Sequence, residues 1–251
     1  MTYLSHIPIN PLRAESRDLL ACPRAMRGAV LGGISDPSEM KRVLWRLDAD
    51  DPQRPLLFVL SPSRPDWTRL VEAAGWPGAA GDQAATREYR PLLTRLAINR
   101  EFAFRVTASP VRDDPGESQA PDDDRAHLTR AQQLGWFLEH APTWGFAIPR
   151  TRTGSATSGL DGCSPRSAPD VRITARSRRS FTESGRGVPV TLHTATFEGR
   201  LLVTDVILLT QAILKGIGPN KAYGCGLFTL THPHSEDFYS GGTLNEAGAS
   251  A

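Results

Sequence analysis

Lysine and cysteine are both scarce in this 251-residue chain, and each scarcity excludes something. Cysteine occurs three times, at Cys22, Cys163 and Cys225, and no two form a CxxC pair. That spacing argues against a zinc ribbon and against a disulfide framework. No apolar run approaches the roughly 20 residues of a membrane span, so no membrane partner is expected. The opening Met1–His6 has no basic segment ahead of an apolar core, which argues against a secretory signal and for a cytoplasmic location. Acidic and basic residues nearly cancel, leaving a net charge of +2, too small to announce a nucleic-acid binder by itself. The kind of positive charge says more. Lysine stands only at Lys41, Lys215 and Lys221, so arginine supplies nearly all of the 29 basic side chains. The planar guanidinium can donate two parallel hydrogen bonds to a phosphate, which an ammonium cannot.

What is present is an ordinary globular composition, 39% hydrophobic and 22% charged, long enough for one large domain or two small ones. Tyr3–Ile9 alternates as a strand does. A polar stretch over Arg13–Asp18 leads into a helix that Pro23 starts, with Met26, Val30 and Ile34 on its apolar face. Val43–Asp48 and Leu56–Leu60 read as strands joined through Asp50-Asp51-Pro52. Asp66 caps a helix over Trp67–Ala74 that Gly75 and Pro77 stop. A Gly/Ala-rich connection follows, and Glu101–Ser109 alternates strongly, with Phe102, Phe104 and Val106 on one side. Residues 110–124 form a Pro/Asp/Gly-rich linker. Ala131–His140 is amphipathic, Trp144–Ile148 a short strand and 151–169 a Ser/Gly/Thr-rich loop. Val171–Phe181 and Val190–Phe197 pair through Gly185 and Gly187, Thr204-Asp205 can cap a helix from Val206 to Lys215, and Leu227–Leu230 is the last strand. Each half thus reads strand, helix, strand pair, helix, strand. The expected fold is α+β, two tandem ferredoxin-like (RRM-like) βαββαβ domains over 1–118 and 126–234, with a loose tail over 235–251.

Two segments carry chemistry. Lys215-Gly-Ile-Gly-Pro-Asn-Lys-Ala-Tyr-Gly-Cys-Gly-Leu227 lies between the last helix and the last strand. Its glycines permit positive φ and close backbone approach, and successive amides could cradle phosphate oxygens beside Lys221. A tight helix-to-strand turn with a solvated lysine explains the same residues equally well. In Val171–Ser180, a period of two puts Arg172, Thr174, Arg176, Arg178 and Ser180 on one face and Val171, Ile173 and Ala175 on the other. Such a strip can follow an RNA backbone, or protect an edge strand from aggregation. No RNP-type aromatic pair supports reading by base stacking.

The glycine-rich segment resembles the loop that precedes the last strand in the CasE-type endoribonucleases of type I-E CRISPR systems. Phe197-Glu198-Gly199-Arg200-Leu201 is similar to that family's F-E-G-x-L stretch. Tyr3-Leu4-Ser5, Ser16-Arg17-Asp18-Leu19 and Phe104-Arg105-Val106-Thr107-Ala108-Ser109-Pro110 also match, in order, from Tyr3 to about Pro233. The resemblance implies a two-domain ferredoxin-like protein that binds the stem-loop of a CRISPR repeat transcript. It implies cleavage at the 3′ base of the stem by the neighbouring ribose 2′-OH, without a metal or other cofactor. The product would stay bound among other Cascade subunits. With the arginine strand and the glycine-rich loop taken together, the expected RNA-contacting set is Arg172, Arg176, Arg178, Arg179, Gly218, Lys221 and Gly224.

The chain departs from the family at the catalytic helix. Pro23-Arg24-Ala25-Met26-Arg27 matches the family's P-x-x-M-H, so Arg27 stands at the histidine and Arg24 where a tyrosine can occur. Three residues apart, both arginines share one helix face. With Lys221 they form the expected catalytic set. Arginine cannot act as a general base near neutral pH, but it can stabilise charge on a pentacoordinate phosphorane. The alternatives are slow cleavage, a different proton carrier, or a subunit that holds the hairpin without cutting it. His6, on the first strand, is the nearest substitute. His127, His140 and His193 are isolated, and His232-Pro-His234 lacks partners at metal-ligand spacing.

Overall fold

The computed structural model describes residues 1–78, 84–111, 128–151, 168–182 and 189–231. The expected linker and loop (apart from residues at their edges), the Gly185/Gly187 turn, the tail, Cys163, His127, His232 and His234 lie outside the described residues. The first unit runs β1 (Tyr3–Pro8), α1 (Ala14–Ala21), α2 (Pro23–Leu31), β2 (Leu44–Asp48), β3 (Leu56–Ser61), α3 (Thr68–Ala74) and β4 (Ala85–Glu88). Its antiparallel sheet has the order β2-β3-β1-β4, the ferredoxin-like arrangement. Two helices stand where the sequence pattern gives one. Pro23 forces the residue before it out of the helical region, and Cys22 is accordingly extended at φ −125° and ψ 114°. The helix therefore restarts at Pro23 in a new direction, with Met26 and Val30 buried and Arg24 and Arg27 exposed.

A short helix α4 (Arg90–Leu93) leads to the second unit. This contains β5 (Glu101–Ala108), α5 (Arg130–His140), β6 (Phe146–Ala147), β7 (Arg150–Thr151), β8 (Ala168–Pro169), β9 (Val171–Thr182), β10 (Pro189–Val203), α6 (Val206–Lys215) and β11 (Phe228–Thr231). The sheet order is β11-β5-β10, with β9 along most of β10 and the two residues of β6 at its far end. Strands β11-β5-β10-β9 repeat the ferredoxin-like order. Here the structure corrects one expectation. Glu101–Ala108 does not close the first sheet; it is the first strand of the second, flanked by β10 and β11. The fourth strand of the first sheet is β4, inside what reads as a Gly/Ala-rich connection. Four residues, Ala85–Glu88, are too few for an alternation signal, whereas the run through Phe102, Phe104 and Val106 was conspicuous.

Each sheet has two differently employed faces. In the first, Ile7, Val59, Trp45 and Leu57 pack against Met26, Val30 and Leu70 of the helices. Leu44 and Leu60, on the other face, join a core shared with Phe104, Phe228 and Leu230 of the second unit. The second core is aromatic: Phe104 stacks on Phe137, and Phe137 on Phe197, at 5.5 and 4.5 Å between ring centroids. Arg46 of β2 crosses the seam and is 1% exposed. Its Nε and Nη2 donate to the two Asp48 carboxylate oxygens at 2.8 Å each. Nη1 donates to the carbonyls of Arg105 (2.7 Å) and Leu227 (3.1 Å), and Nη2 to Thr229 Oγ1 (2.9 Å). All five guanidinium donors are thus used. Arg105 extends the network to Asp48 at 3.3 Å, to Asp50 at 2.6 Å and to Glu198, which Arg172 also reaches at 3.2 Å.

His6 pairs across the first sheet with Phe58, which in turn pairs with Arg46, so all three share the face turned away from α2. Burial, with the Arg87 charge as a smaller contribution, holds the imidazole below its ordinary pKa of 6.5.

Two outcomes follow from this core. Truncating Arg46 would leave Asp48 buried with one cation fewer, so Arg46→Ala should lower unfolding free energy by about 3–5 kcal/mol in urea titrations. Arg46→Lys should not restore it, because an ammonium cannot fill five directional positions. For His6, the unfolded chain binds the proton more tightly than the folded one. Its contribution is complete above the unfolded pKa and is lost as pH falls through the depressed folded value. In thermal melts from about pH 7 to about pH 5, His6→Gln should show a flatter decline than the parent.

Candidate nucleic-acid interface

Three pieces of chain meet beside α2. The first is α2 itself, whose outer face carries Arg24 and Arg27, both exposed. The second is the short 3-10 turn Lys221–Tyr223, which packs against α2 and β2. The third is the β9–β10 ribbon, whose far end meets the helices. There Arg24 Nη1 makes a long 3.5 Å contact with the Thr182 carbonyl, and Arg179 Nη1 donates to the Leu20 carbonyl at 3.0 Å. Phe181, Leu192 and Cys225 form a small apolar cluster under this junction, with Cys22 and Tyr223 against it. Tyr223 lies edge-on to Phe181 at 4.9 Å between ring centroids.

The glycine loop owes its shape to its neighbours as much as to its turns. Gly218 and Gly224 adopt φ of +66° and +88°. A Cβ on Gly224 would stand 2.7 Å from the Trp45 ring, and one on Gly226 would stand 2.6 Å from the Ile217 carbonyl. Asn220, left-handed at φ 59°, donates from Nδ2 to Ser109 Oγ at 3.0 Å. Gly226 N–H donates to the Thr107 carbonyl at 2.7 Å. The Trp45 indole N–H donates to the Ala222 carbonyl at 3.1 Å. The loop is therefore tied to both sheets, and Lys221 is presented, half-buried, at its apex. Burial lowers the Lys221 pKa below the ordinary lysine value, and the Lys215 charge lowers it further. Burial also pushes the Cys225 thiol up to about 12, which keeps it protonated and inert as a nucleophile at neutral pH.

The arginine strip on β9 is corrected by the register. The β9–β10 pairing slips between Thr196 and Phe197, because Thr196 faces Ala175 while Phe197 faces Ile173. Thr174 is thus the extra residue of a bulge, and alternation changes phase there. Arg172 lies opposite Glu198 and Arg179 opposite Leu192, on the face toward the first unit. Arg176 and Arg178 lie opposite Ala195 and His193, on the other face. The three arginines expected on one face, Arg172, Arg176 and Arg178, do not form one stripe. Arg172 is 75% exposed with Glu198 as partner, and Arg176 donates to the Leu128 carbonyl at 2.9 Å. A cleft of about 190 Å³ opens between the units. Pro23, Met26, Trp45, Tyr223 and Gly224 line one wall, and Thr107, Thr194, Thr196 and Arg179 line the other.

Of the sequence-based candidates, Arg24, Lys221, Gly224 and Arg179 meet at this junction, and Arg27 stands one helical turn along α2 from Arg24. Arg172, Arg176 and Arg178 lie further along the ribbon. Gly218 packs instead toward Trp136, 3.3 Å from where its Cβ would stand. His6 belongs to the opposite sheet face, so it cannot substitute at α2. Trp45 and Arg46 escaped sequence reasoning. The available signal was a tryptophan and an arginine side by side in a short strand, with an aspartate two residues after the arginine on the same face. Among the described residues no group of three or more His, Cys, Asp or Glu side chains could hold a metal ion, and no helix is long and apolar enough to cross a membrane.

The chain has relatives among known proteins. The chain is 26% identical over 231 residues to the CRISPR-associated endoribonuclease Cse3 of Thermus thermophilus, covering 91% of this chain and 99% of that one. It is 24% identical over 207 residues to the CRISPR system Cascade subunit CasE of Escherichia coli, covering 78% and 92%. Its structure resembles that of a Cse3 endoribonuclease bound to a 19-nucleotide RNA, with TM-score 0.68, 25% identity and coverage of 92% and 99%. The family model for CRISPR-associated proteins matches residues 2–232. With ferredoxin-like order in both sheets and a match spanning nearly the whole chain, this protein belongs to the CRISPR-associated family of Cse3 and CasE.

Proposed function

We propose that this chain is an endoribonuclease that binds the stem-loop of a CRISPR repeat transcript, cuts it without a metal, and keeps the product within a Cascade-type complex. The observation that carries the reading is the placement of Arg24 and Arg27 on the open face of α2, against the turn that bears Lys221. End-to-end similarity to a relative named as an endoribonuclease, and to a structure of one with RNA bound, supports it. The relative named as a Cascade subunit supports the complex.

In the proposed reaction the ribose 2′-oxygen attacks the adjacent phosphorus. The O2′–P bond forms, the P–O5′ bond breaks, and the products are a 2′,3′-cyclic phosphate and a 5′-hydroxyl. Charge builds on the non-bridging oxygens in between. Arg27 is a fixed cation with paired donors suited to those oxygens, and Arg24, one helical turn away, orients the neighbouring phosphate. Lys221, whose ammonium is made more acidic by burial, is the group suited to protonate the leaving 5′-oxygen. Nothing on the α2 face replaces the family's histidine as acceptor of the 2′-OH proton. Water takes that role, and cleavage is slow. The exposed arginines of the ribbon hold the stem through its backbone, in keeping with A-form RNA being read through shape and phosphates.

One observation favours a second reading, that of a hairpin-holding subunit that does not cut. Arg27 occupies the histidine position, and His6 is on the far side of the sheet. The two separate in one assay, with the cognate repeat hairpin in EDTA under single turnover. Slow cleavage that a 2′-deoxy group at the cut site abolishes is the expected result, and Arg27→His should raise the rate about 100-fold. Tight binding without cleavage, converted to cleavage by Arg27→His, would establish the second reading instead. Cleavage that Arg27→His and Lys221→Ala leave unchanged would remove the α2 face from the mechanism.

A further inference from the structure

We infer that Trp45 is the positioning residue of the site: one indole sets the distance between the α2 arginines and Lys221. The inference rests on the proposed function, in which the Lys221 ammonium sits at the scissile phosphate beside the leaving 5′-oxygen. Trp45 sits on β2, an edge strand of the first sheet, and is 5% exposed. Its ring belongs to the same cluster as Met26 and Val30, the inner face of α2. From the other side, Gly224 lies on the ring so closely that a methyl there would come within 2.7, 2.9 and 3.1 Å of three ring carbons. The indole N–H reaches the Ala222 carbonyl, next to Lys221, at 3.1 Å. The same ring therefore supports the helix that carries Arg24 and Arg27 and the turn that carries Lys221.

Filling the core would not require this residue. A phenylalanine or leucine would fill most of the space on that sheet face, and neither offers a donor. The N–H is used on a loop carbonyl, and the loop supplies a glycine where the ring needs room. Within the turn that carries Lys221, one backbone hydrogen bond, from Tyr223 N–H to the Asn220 carbonyl at 2.9 Å, closes the chain. Asn220 before it and Gly224 after it are both left-handed, and its turn is only three residues long. Such a turn takes its orientation from its neighbours: the indole under Ala222, the tie from Asn220 to Ser109, Tyr223 against Phe181 and Gly226 on Thr107, and of these only the indole also supports α2.

The test is a double-mutant cycle on the full chain, read as affinity for the repeat stem-loop of its own CRISPR array across a salt series. Lys221→Ala should weaken binding and make the salt dependence shallower by about one unit. Trp45→Phe keeps a ring but loses the N–H, and should produce the same shallower slope with affinity reduced up to about tenfold. In the Lys221→Ala background, Trp45→Phe should have little further effect, because its influence passes through the lysine. A loss that persists in full in that background, or an unchanged salt slope, would make Trp45 a packing residue and overturn the inference. Should Trp45→Phe fail to fold, Gly224→Ala presses on the same contact from the loop side and is held to the same expectation. A Lys221→Ala variant that binds like the parent would overturn the phosphate reading of Lys221, and the positioning role with it.

Discussion

The guanidinium of Arg46 joins the two halves of the molecule, and the position of the site depends on that joint. A charge with 1% exposure is tolerated only where its donors are all met. Two of the five go to Asp48 on its own strand, while the other three go to Arg105, Leu227 and Thr229 of the second unit. Arg105 answers with Asp48, Asp50 and Glu198, so cations and carboxylates alternate across the seam. Buried ion pairs add little net stability compared with apolar packing. What they fix is geometry, since any slip of one sheet against the other would leave a buried charge unmet.

That fixed seam explains how residues far apart in sequence come to share one surface. Leu227, whose carbonyl accepts from Arg46, immediately follows the glycine loop. The loop's entry is tied to Ser109 and its exit to Thr107, both at the end of β5, while its middle rests on Trp45 of β2. The first unit supplies α2 and the platform, and the second supplies the loop and the arginine ribbon. Neither unit alone contains the arrangement. Contacts between the ribbon and the helices, from Arg24 to Thr182 and from Arg179 to Leu20, use exposed arginines on backbone carbonyls. Such contacts are weak enough for a phosphate to displace, in keeping with the RNA-binding role proposed for these side chains.

Much of the fold was legible because it follows from local rules. Pro23 and Asp205 marked helix starts, alternation through Phe102, Phe104 and Val106 marked a strand, and the repeated element order implied two ferredoxin-like units. The assignment of β5 to the first unit failed for a physical reason. Strand propensity says that a segment is extended, not which sheet it pairs with, and the competing strand β4 has four residues without a pattern. The β9 strip failed similarly. Period two held on either side of Thr174, but a bulge is set by pairing with β10, and one extra residue reverses every face beyond it.

By itself the sequence determined the chemistry available: arginine in place of histidine at position 27, one lysine within a glycine-rich loop, and strands and helices in an order that permits two similar units. Motif order also determined the family, because those residues recur at fixed places along the chain. Only the tertiary structure decided which groups meet. Trp45 under Gly224, Arg46 across the seam and His6 turned away from α2 are relations between residues distant in sequence or on opposite faces of a sheet. They arise from sheet pairing and from the need to satisfy buried donors, and neither is encoded in any local window of residues.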